Sequence, residues 1–548
     1  MRVTWRTGGI CTLAAICMLV SAFARGAEIA ANENSTTVLK QEHFDKDPGW
    51  DGLNNRLKPD PKDIPVVQQD FGYSPTAFSG GDAGEIGGTI WRSVTPAFYA
   101  EKIATKTLND KLTSSGKFTI TKIASNAGVW FGWFDASAQQ TGNARPTSAL
   151  GLNLDFQGEG ARLCVRATNE KRQGAGSFVT PYLPGEFRTA PLGKNIHYSW
   201  TLTYDPQGAG GNGRIEFMLK SLNTNAEQDA RMKELAKGWA SLKSERSRNK
   251  LATGHYGAPD FDGKLFTIDL PSGFKTSGTK FDHFGLINCI KEGSAADLFF
   301  DDVEHDGKKE DFAADPNWDG LNNHLRVADT MRTGYHDFGF SKGTNLAGGA
   351  PGEMGGIFWR TGKAYGYYAD RIGPLSLDDP LEAHGKLMLK FGTPDGEMCF
   401  GWFNSSQKER IPIRSRTNEL GAIRRDPRDT HLGKSDNFLG IYLTKDHYGC
   451  ALHPALVTAK GEKKIHSSQS PHPTPGQTYD WTLKYDPHAA NGQGAITITL
   501  GGESAIMVID PKMHEQGATF DRFGFFASGG GGMVHIFFDD LEYTANRR

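Results

Sequence analysis

The strongest constraint in this sequence is an internal repeat. The stretch GDAGEIGGTIWRS, from Gly81 to Ser93, returns as GAPGEMGGIFWRT, from Gly349 to Thr361. Each copy joins a Gly-rich turn and one glutamate to a short strand that ends in Trp-Arg. A chain of 548 residues is too long for one ordinary core, and this repeat divides it into two large domains rather than three of ordinary size.

The repeat extends over almost the whole chain. An opening motif, EHFDKDPGWDGLNN from Glu42 to Asn55, returns as EDFAADPNWDGLNN from Glu310 to Asn323. A closing motif reads FFDDVE in the first copy and FFDDLE in the second. We therefore expect repeat 1 at residues 41–307 and repeat 2 at residues 308–548, with almost no linker between them.

Both copies consist of short runs rich in β-branched and aromatic residues, bounded by Gly, Pro, Asn or Asp. In YSWTLTYDP, for example, Trp200, Leu202 and Tyr204 share one face of a strand, which is the period of two that strands show. The 67 glycines suit tight turns between such strands. The sequence thus predicts an all-β fold of two tandem antiparallel sandwiches.

One insertion interrupts the first copy. Residues 223–250 have no equivalent in the second copy, and Met232, Leu235, Trp239 and Leu242 follow one another at helical spacing. This spacing predicts an amphipathic helix that lies against its own sandwich.

The amino end is typical of an exported protein. Arg2 and Arg6 precede an apolar run from Ile10 to Phe23, and Ala22-Phe23-Ala24 offers a cleavage site. We interpret residues 1–26 as a signal peptide and residues 27–40 as a disordered mature start. A membrane anchor is the alternative, but the run is short and no second apolar run follows it. The expected location is secreted, periplasmic or at the cell surface, without a transmembrane segment after cleavage.

The net charge bears on the possible binding partners, and the cysteine content bears on the possible disulfides. A formal net charge of -2 gives no reason to expect nucleic acid as a partner. Cys164, Cys289, Cys399 and Cys450 remain after signal removal, two in each half. In an oxidising compartment a bridge within each half could form, and four buried free thiols are the equally open alternative.

The opening E-x-F…W stretch and the closing FFDD-[VL]-E strand, around Gly-rich antiparallel strands, resemble the concanavalin A-like lectin/glucanase superfamily. The chain also looks like uncharacterised two-copy secreted proteins of planctomycete-type bacteria. The first resemblance implies two jelly-roll sandwiches. Members of that superfamily include lectins, carbohydrate-binding modules, glycoside hydrolases and polysaccharide lyases, and the fold alone does not choose among them.

The resemblance makes polysaccharide binding the expected function. A retaining glycanase would need paired carboxylates on one strand, and no E-x-D-x-x-E strand occurs. An alginate-lyase-like strand is also missing, since KSERSR, from Lys243 to Arg248, lies in the predicted helix. A lyase or hydrolase with a site in one repeat, and a cell-surface structural protein, remain the alternatives.

The repeated glutamate, tryptophan and arginine are the candidate sugar-binding residues. Aromatic rings stack on the C–H faces of sugars, while carboxylates and guanidinium groups bind the hydroxyls. The alternatives are a structural Glu–Arg pair beside the turn and tryptophans that fill the core. The full candidate set is Glu85, Trp91, Arg92, Trp133, Glu353, Trp359, Arg360 and Trp402.

The resemblance also implies a structural Ca²⁺ between the first and last strands of each domain. Glu42 with Asp302, and Glu310 with Asp540, would then supply side-chain oxygens, and backbone carbonyls would complete the six to eight ligands. Hydrogen bonding of these carboxylates to loop amides is the alternative.

Overall fold

The structure is a computed structural model. It describes residues 37–546 except 58–59, 138–145, 159, 171–172, 181–190, 241–260, 292, 330–334, 360–365, 394–395, 407–436, 446–448, 461–462, 466–469 and 528–531. The predicted signal peptide therefore lies outside the described residues, as do Arg360 and most of the predicted disordered start. Almost every described element is a strand in an antiparallel sheet, which confirms the all-β fold class.

The first sandwich consists of an eight-stranded and a seven-stranded sheet. In spatial order the larger sheet contains β15 (Leu265–Asp269), β14 (Arg214–Ser221), β13 (His197–Asp205), β8 (Leu112–Lys122), β17 (Ala295–His305), β6 (Glu85–Trp91) and β5 (Asp70–Ser74), with β18 (Lys308–Glu310) on β17. The smaller sheet contains β12 (Gly174–Phe178), β11 (Gly160–Thr168), β10 (Ala149–Gln157), β9 (Gly128–Phe134), β16 (Lys280–Asn288), β7 (Phe98–Thr107) and β19 (Asp319–Leu321).

The second sandwich repeats this plan with a nine-stranded and a seven-stranded sheet. The larger sheet contains β3 (Arg56–Leu57), β21 (His336–Ser341), β22 (Glu353–Trp359), β33 (Met533–Asn546), β24 (Leu381–Gly392), β29 (Thr478–Asp486), β30 (Ala495–Leu500) and β31 (Glu503–Val508), with β1 (Thr37–Glu42) on β33. The smaller sheet contains β2 (Asp51–Leu53), β23 (Tyr367–Ser376), β32 (Thr519–Phe526), β25 (Glu397–Phe403), β26 (Phe438–Lys445), β27 (Cys450–Val457) and β28 (Lys463–Ile465).

Helices are minor. Ala226–Ala240 forms the helix expected in the insertion of repeat 1; Leu235 is buried and Met232 packs against the core of the first sandwich. The side chains of Trp239 and Leu242, expected on the same face, are outside the described residues. Two short helices, Ala489–Gly492 and Pro511–Gln516, occur in the second sandwich. Among the residues that the structure describes, no helix is long and apolar enough to cross a membrane.

The Gly-Gly pair of the repeated motif has a steric cause. Gly87 and Gly88 adopt φ values of 155° and 128°, and Gly355 and Gly356 repeat them at 154° and 128°. A Cβ on Gly87 would lie 2.2 Å from the carbonyl oxygen of Leu298 on the neighbouring strand. Only glycine fits this approach, so the motif marks a strand of the larger sheet that is paired on both sides, β6 in the first sandwich and β22 in the second.

Each opening motif pairs with strands of the other repeat and not with those of the repeat that it begins. β1 pairs with Leu541–Asn546 of β33, and β2 pairs with Tyr367–Ala369 of β23, so residues 37–57 complete the second sandwich. Residues 308–328 complete the first, because β18 pairs with β17 and β19 pairs with β7. We call 37–57 and 308–328 the opening segments.

Apolar anchors fix each opening segment. Phe44 and Trp50 pack into the core of the second sandwich, and Phe312 and Trp318 pack into the core of the first. The sequence repeat and the sheets therefore have different boundaries. The expected ranges 41–307 and 308–548 describe the sequence repeat. Each sandwich, however, consists of one repeat without its own opening segment and with the opening segment of the other repeat.

The exchange gives the molecule two connections between its sandwiches. One runs from β3 to β5 and the other from β19 to β21. Their middle portions, β4 (Val66–Gln68) and β20 (Arg326–Ala328), pair with each other as a two-stranded ribbon. Two paired connections restrict relative motion of the sandwiches more than one flexible linker would.

Cys164, Cys289, Cys399 and Cys450 are all buried, and none of them is in a disulfide. Three strand spacings, about 14 Å, separate β11, which carries Cys164, from β16, which leads to Cys289. Cys399 on β25 and Cys450 on β27 have β26 between them. A disulfide requires Cα atoms within roughly 7 Å of each other, and neither pair meets this limit. The structure therefore agrees with the alternative in which no bridge forms.

The exchange predicts which sandwich a mutation in the amino-terminal segment destabilises. Phe44 is fully buried in the second sandwich. Phe44→Ala should therefore lower the free energy of unfolding of the second sandwich by about 3–5 kcal/mol, the usual cost of removing a buried phenylalanine. Hydrogen exchange measured by mass spectrometry should show faster exchange in β33 and β23.

The matched control is Phe312→Ala, which should instead raise exchange in β17 and β7 of the first sandwich. Faster exchange in the first sandwich for the Phe44 variant would contradict the exchanged arrangement.

Candidate functional site

The repeated glutamates are buried parts of the framework. Glu85 is fully buried, and its carboxylate accepts hydrogen bonds from the backbone N–H groups of Phe78 and Ser79, both at 2.9 Å. Glu353 accepts in the same way from the N–H groups of Leu346 at 3.0 Å and Ala347 at 2.7 Å. Each carboxylate clamps the Gly-rich loop before its own strand. Neither side chain reaches the surface, which favours a structural role over the predicted sugar-binding role.

The tryptophans predicted to stack on sugars are also mostly buried. Trp133 and Trp402 are fully enclosed in the two cores, and the indole N–H of Trp402 donates to the carbonyl of Thr544 at 3.0 Å. Trp359 is 5% exposed, and only Trp91 is half-buried. An indole ring without an exposed face cannot stack on a sugar, so three of the four belong to the framework.

The four acidic residues predicted to bind Ca²⁺ do not form the predicted pairs. Glu42 pairs with Leu541 and so lies beside Asp540, while Glu310 pairs with Val303 beside Asp302, the reverse of the expected partners. The Lys386 ammonium donates to Asp540 at 2.5 Å, and Lys117 pairs with Asp302.

These two aspartates thus already have cationic partners, and the pairs do not fit the expected Ca²⁺ sites. Within the described residues, no group of three or more His, Cys, Asp or Glu side chains comes close enough to hold a metal ion. Calcium binding stays a prediction.

The closing motif places a second acid beside each clamp. Asp301 and Asp539 are 4% and 3% exposed, and a Cβ on Gly348 would lie 1.6 Å from Oδ2 of Asp539. Burial raises the pKa of Asp301 to about 6, with Asp302 and Glu85 adding to the shift, and burial raises the pKa of Asp539 to about 6 in the same way.

This raised pKa makes stability depend on pH. Between about pH 4 and pH 6 the folded protein binds more protons at Asp301 than the unfolded chain does, so this group's contribution falls as the pH rises through that window. Asp301→Asn should therefore raise the free energy of unfolding of the first sandwich by about 1–2 kcal/mol near pH 7 and by little near pH 4. Denaturant titrations at several pH values would measure this.

Asp302→Asn is the control, because it removes only a largely exposed pair with Lys117 and should cost about 0–1 kcal/mol. A gain for the Asp301 variant that does not change with pH would contradict the assignment.

Chemistry that can meet a ligand lies on the outer face of the seven-stranded sheet of the first sandwich. Asp155 on β10 lies opposite Arg162 on β11, and Gly151 lies opposite Arg166. Arg92, which follows β6, approaches Asp155 at 3.9 Å, and Arg162 pairs with the same carboxylate. Asp155, Arg92 and Arg162, together with Arg166 further along the same face of β11, form what we call the arginine cluster.

The cluster is held in place yet reaches solvent. The side chains of Arg92, Arg162 and Asp155 are 12%, 13% and 24% exposed. Arg162 lies over the ring of Phe178 at 4.5 Å, and Arg166 Nη2 lies 3.3 Å from Sγ of Cys164. Burial opposes the charge of Asp155, but Arg162 and Arg92 outweigh it and hold the pKa of that carboxyl below its usual range.

The expected pairing of Glu85 with Arg92 is therefore wrong, because Arg92 turns to Asp155. Asp155, Arg162 and Arg166 are absent from the predicted site residues because that prediction rests on residues that both repeats share. A signal was present: Arg162, Cys164 and Arg166 alternate along one strand in ARLCVRA, opposite Asn153 and Asp155 in LNLDF.

The second sandwich presents different chemistry on the equivalent face. Strand registers place Ala451 and Ala455 at the positions of Arg162 and Arg166, and His453 at the position of Cys164. Nδ1 of His453 lies 2.7 Å from Oγ of Ser470, and its Nε2 lies 3.0 Å from Oγ1 of Thr444. The arginine cluster therefore belongs to one sandwich only.

No protein-family model and no curated protein matches the sequence. Among solved structures, the chain is similar to the carbohydrate recognition domain of Emp47p, at 12% identity and a TM-score of 0.22, over 37% of this chain and 86% of that one.

Domains LG4-5 of the mouse laminin alpha1 chain match at 8% identity and a TM-score of 0.22, over 82% and 88% of the two chains. An alginate lyase from Alteromonas sp. 272 matches at 9% identity and a TM-score of 0.21, over 38% and 94%. Likenesses at this level carry no argument about function, which must come from the site itself.

Proposed function

We propose that this protein binds an acidic polysaccharide through the arginine cluster on the outer face of the first sandwich. The observation that carries the proposal is the pairing of Arg92 and Arg162 with the single carboxylate of Asp155, with Arg166 further along the same face of β11. Guanidinium groups bind carboxylates and sulfates through two parallel hydrogen bonds, which gives both strength and orientation.

The position of the cluster supports a polymer rather than a small ion. It lies along strands of an extended sheet, beside the half-buried ring of Phe178. A sugar ring can pack its C–H face on an aromatic ring while its acid group meets a guanidinium. The near-neutral chain offers no general basic surface, so recognition would be local.

Export fits this proposal, since polysaccharides of this kind occur outside cells. The signal peptide at residues 1–26 and a secreted or cell-surface location remain part of the proposal, resting on the sequence alone.

The first test removes one guanidinium group from the cluster in each variant. The double variant Asp155→Asn with Arg162→Gln takes away both partners of one pair, and Arg166→Gln removes another guanidinium. Each should weaken retention on polygalacturonate or alginate by about tenfold, and rising salt should weaken the unaltered protein as well. Affinity electrophoresis and titration calorimetry would measure this.

Arg214→Gln is a suitable control, because Arg214 forms an exposed pair with Asp269 on the larger sheet, away from the cluster. Thermal denaturation would confirm that all variants fold. Equal retention of the cluster variants, or equal retention of the unaltered protein on neutral glucans, would contradict the proposal.

The second sandwich favours a second candidate, a polysaccharide lyase. His453 and Tyr442 are cross-strand neighbours with ring centroids 6.4 Å apart, and they are 8% and 3% exposed. In such a reaction a base removes the proton beside a uronate carboxylate. The C–O bond to the leaving sugar then breaks as a C=C bond forms, and an acid protonates the leaving oxygen. Histidine and tyrosine are suited to these two proton transfers.

This candidate predicts a product that binding alone does not give. Incubation with polyuronates should generate unsaturated uronates, detected by their ultraviolet absorbance, and His453→Gln or Tyr442→Phe should lower the rate by about a hundredfold or more. Phe438→Leu, on the same strand as Tyr442, is the control and should leave the rate within about twofold. No product from any polyuronate would leave binding as the function.

A further inference from the structure

A cavity of about 670 Å³ lies where the amino-terminal opening segment meets the second sandwich. Lys40, Trp50 and Asp51 line it from the opening segment, and Asp370 and Arg371 line it from β23. Its volume is within the range of about 300–1,000 Å³ that small-molecule sites show. Because the opening segment supplies one wall, the cavity is complete only when residues 37–57 are in place. We call it the closure cavity.

The charges in the closure cavity balance one another. Lys40 pairs with Asp370, which also accepts a hydrogen bond from the Tyr543 hydroxyl at 2.7 Å. Asp51 accepts from Nε of Arg371 at 2.6 Å and from Nη2 of Arg371 at 3.0 Å; it also accepts from Nη2 of Arg522 at 3.0 Å, and Arg522 pairs in turn with Asp521. These hydrogen bonds from Arg371 hold the pKa of Asp51 below its usual range, so the carboxylate stays ionised.

This balance selects against charged ligands. An anion would compete with the carboxylates for Lys40 and Arg371, and a cation would compete with the ammonium and guanidinium for Asp51 and Asp370. A neutral polyhydroxylated ligand can donate to the carboxylates and accept from the cations without breaking either pair.

An aromatic wall completes the site. The Trp50 ring is 9% exposed, and edge-on contacts fix it, with its centroid 5.5 Å from that of Phe44 and 6.0 Å from that of Tyr543. Val38 and Ile372 extend this apolar surface. The apolar atoms of Val38, Trp50 and Ile372 that line the cavity can contact the C–H groups of a sugar, while the fixed donors and acceptors meet its hydroxyls.

We infer that the closure cavity binds a neutral saccharide. The site is separate from the arginine cluster, lies in the other sandwich and does not depend on the acidic-polysaccharide proposal.

The two copies of the opening segment supply a variant that should fold. Gly49 lines the cavity with φ of 68°, and a Cβ there would meet nothing within 4 Å. Asn317 occupies the equivalent position in the first sandwich with φ of 51°. The N–H of Gly49 donates to Asp47, and that of Asn317 donates to Asp315, both at 2.9 Å. Gly49→Asn therefore keeps the turn and adds a side chain at the cavity.

Titration calorimetry and saturation-transfer NMR on the full mature chain would test this inference. The probes are neutral trisaccharides of β-1,4-glucose, β-1,3-glucose, β-1,4-xylose and α-1,4-glucose, with trigalacturonate as the acidic comparison. We expect at least one neutral trisaccharide to bind. Gly49→Asn, and Lys40→Ala, which removes a largely exposed ammonium, should each raise its Kd by about tenfold.

Matched changes in the first sandwich are the controls: Asn317→Gly and Lys308→Ala should leave that Kd unchanged. The Asp155→Asn, Arg162→Gln variant should also bind the neutral probe normally, which separates this site from the arginine cluster. The inference would be overturned if no neutral trisaccharide binds. It would also be overturned if Gly49→Asn and Lys40→Ala bind as well as the unaltered chain, or if only trigalacturonate responds to these two changes.

Discussion

The structure depends on the two opening segments, each of which docks into the sandwich that the other repeat mainly forms. Phe44 and Trp50 fill the core of the second sandwich, and Phe312 and Trp318 fill that of the first. Without these anchors each sandwich would lose strands from both of its sheets and expose a core edge. Because the amino-terminal segment closes the carboxy-terminal sandwich, the fold is complete only when both ends of the chain have met. The same docking builds one wall of the closure cavity.

Buried acidic side chains hold the Gly-rich loop in place at each larger sheet. Glu85 and Glu353 fix their Gly-rich loops by accepting backbone hydrogen bonds, and Asp301 and Asp539 lie beside them under the same loops. A fully buried carboxylate is stable only when donors surround it, and the loop amides are those donors. The repeated motif therefore has the residue types of a binding site, but these residues are buried and hold the structure together.

The proposed acidic-polysaccharide site and the framework differ in whether both repeats share their residues. The clamp, the glycines and the core tryptophans occur in both sandwiches. The arginine cluster occurs in the first alone, where alanines at 451 and 455 replace its residues in the second. Duplication preserves what a sandwich needs to fold, while each outer face is free to change. A search for ligand chemistry in a duplicated chain should therefore begin with the differences between copies.

The sequence by itself determined the all-β class, the duplication and the helix in the insertion, because strand period, turn residues and helical spacing are local properties of the chain. The repeated Gly-Gly pairs are present in the sequence, but the close approach to the neighbouring strand that requires them is visible only in the structure. Only the tertiary structure decided that Glu85 and Trp133 are buried, that Arg92 meets Asp155 and that Glu42 lies beside Asp540 rather than Asp302. Burial and partner choice follow from which strands pair across hundreds of residues, and two nearly identical opening segments leave that pairing open in the sequence.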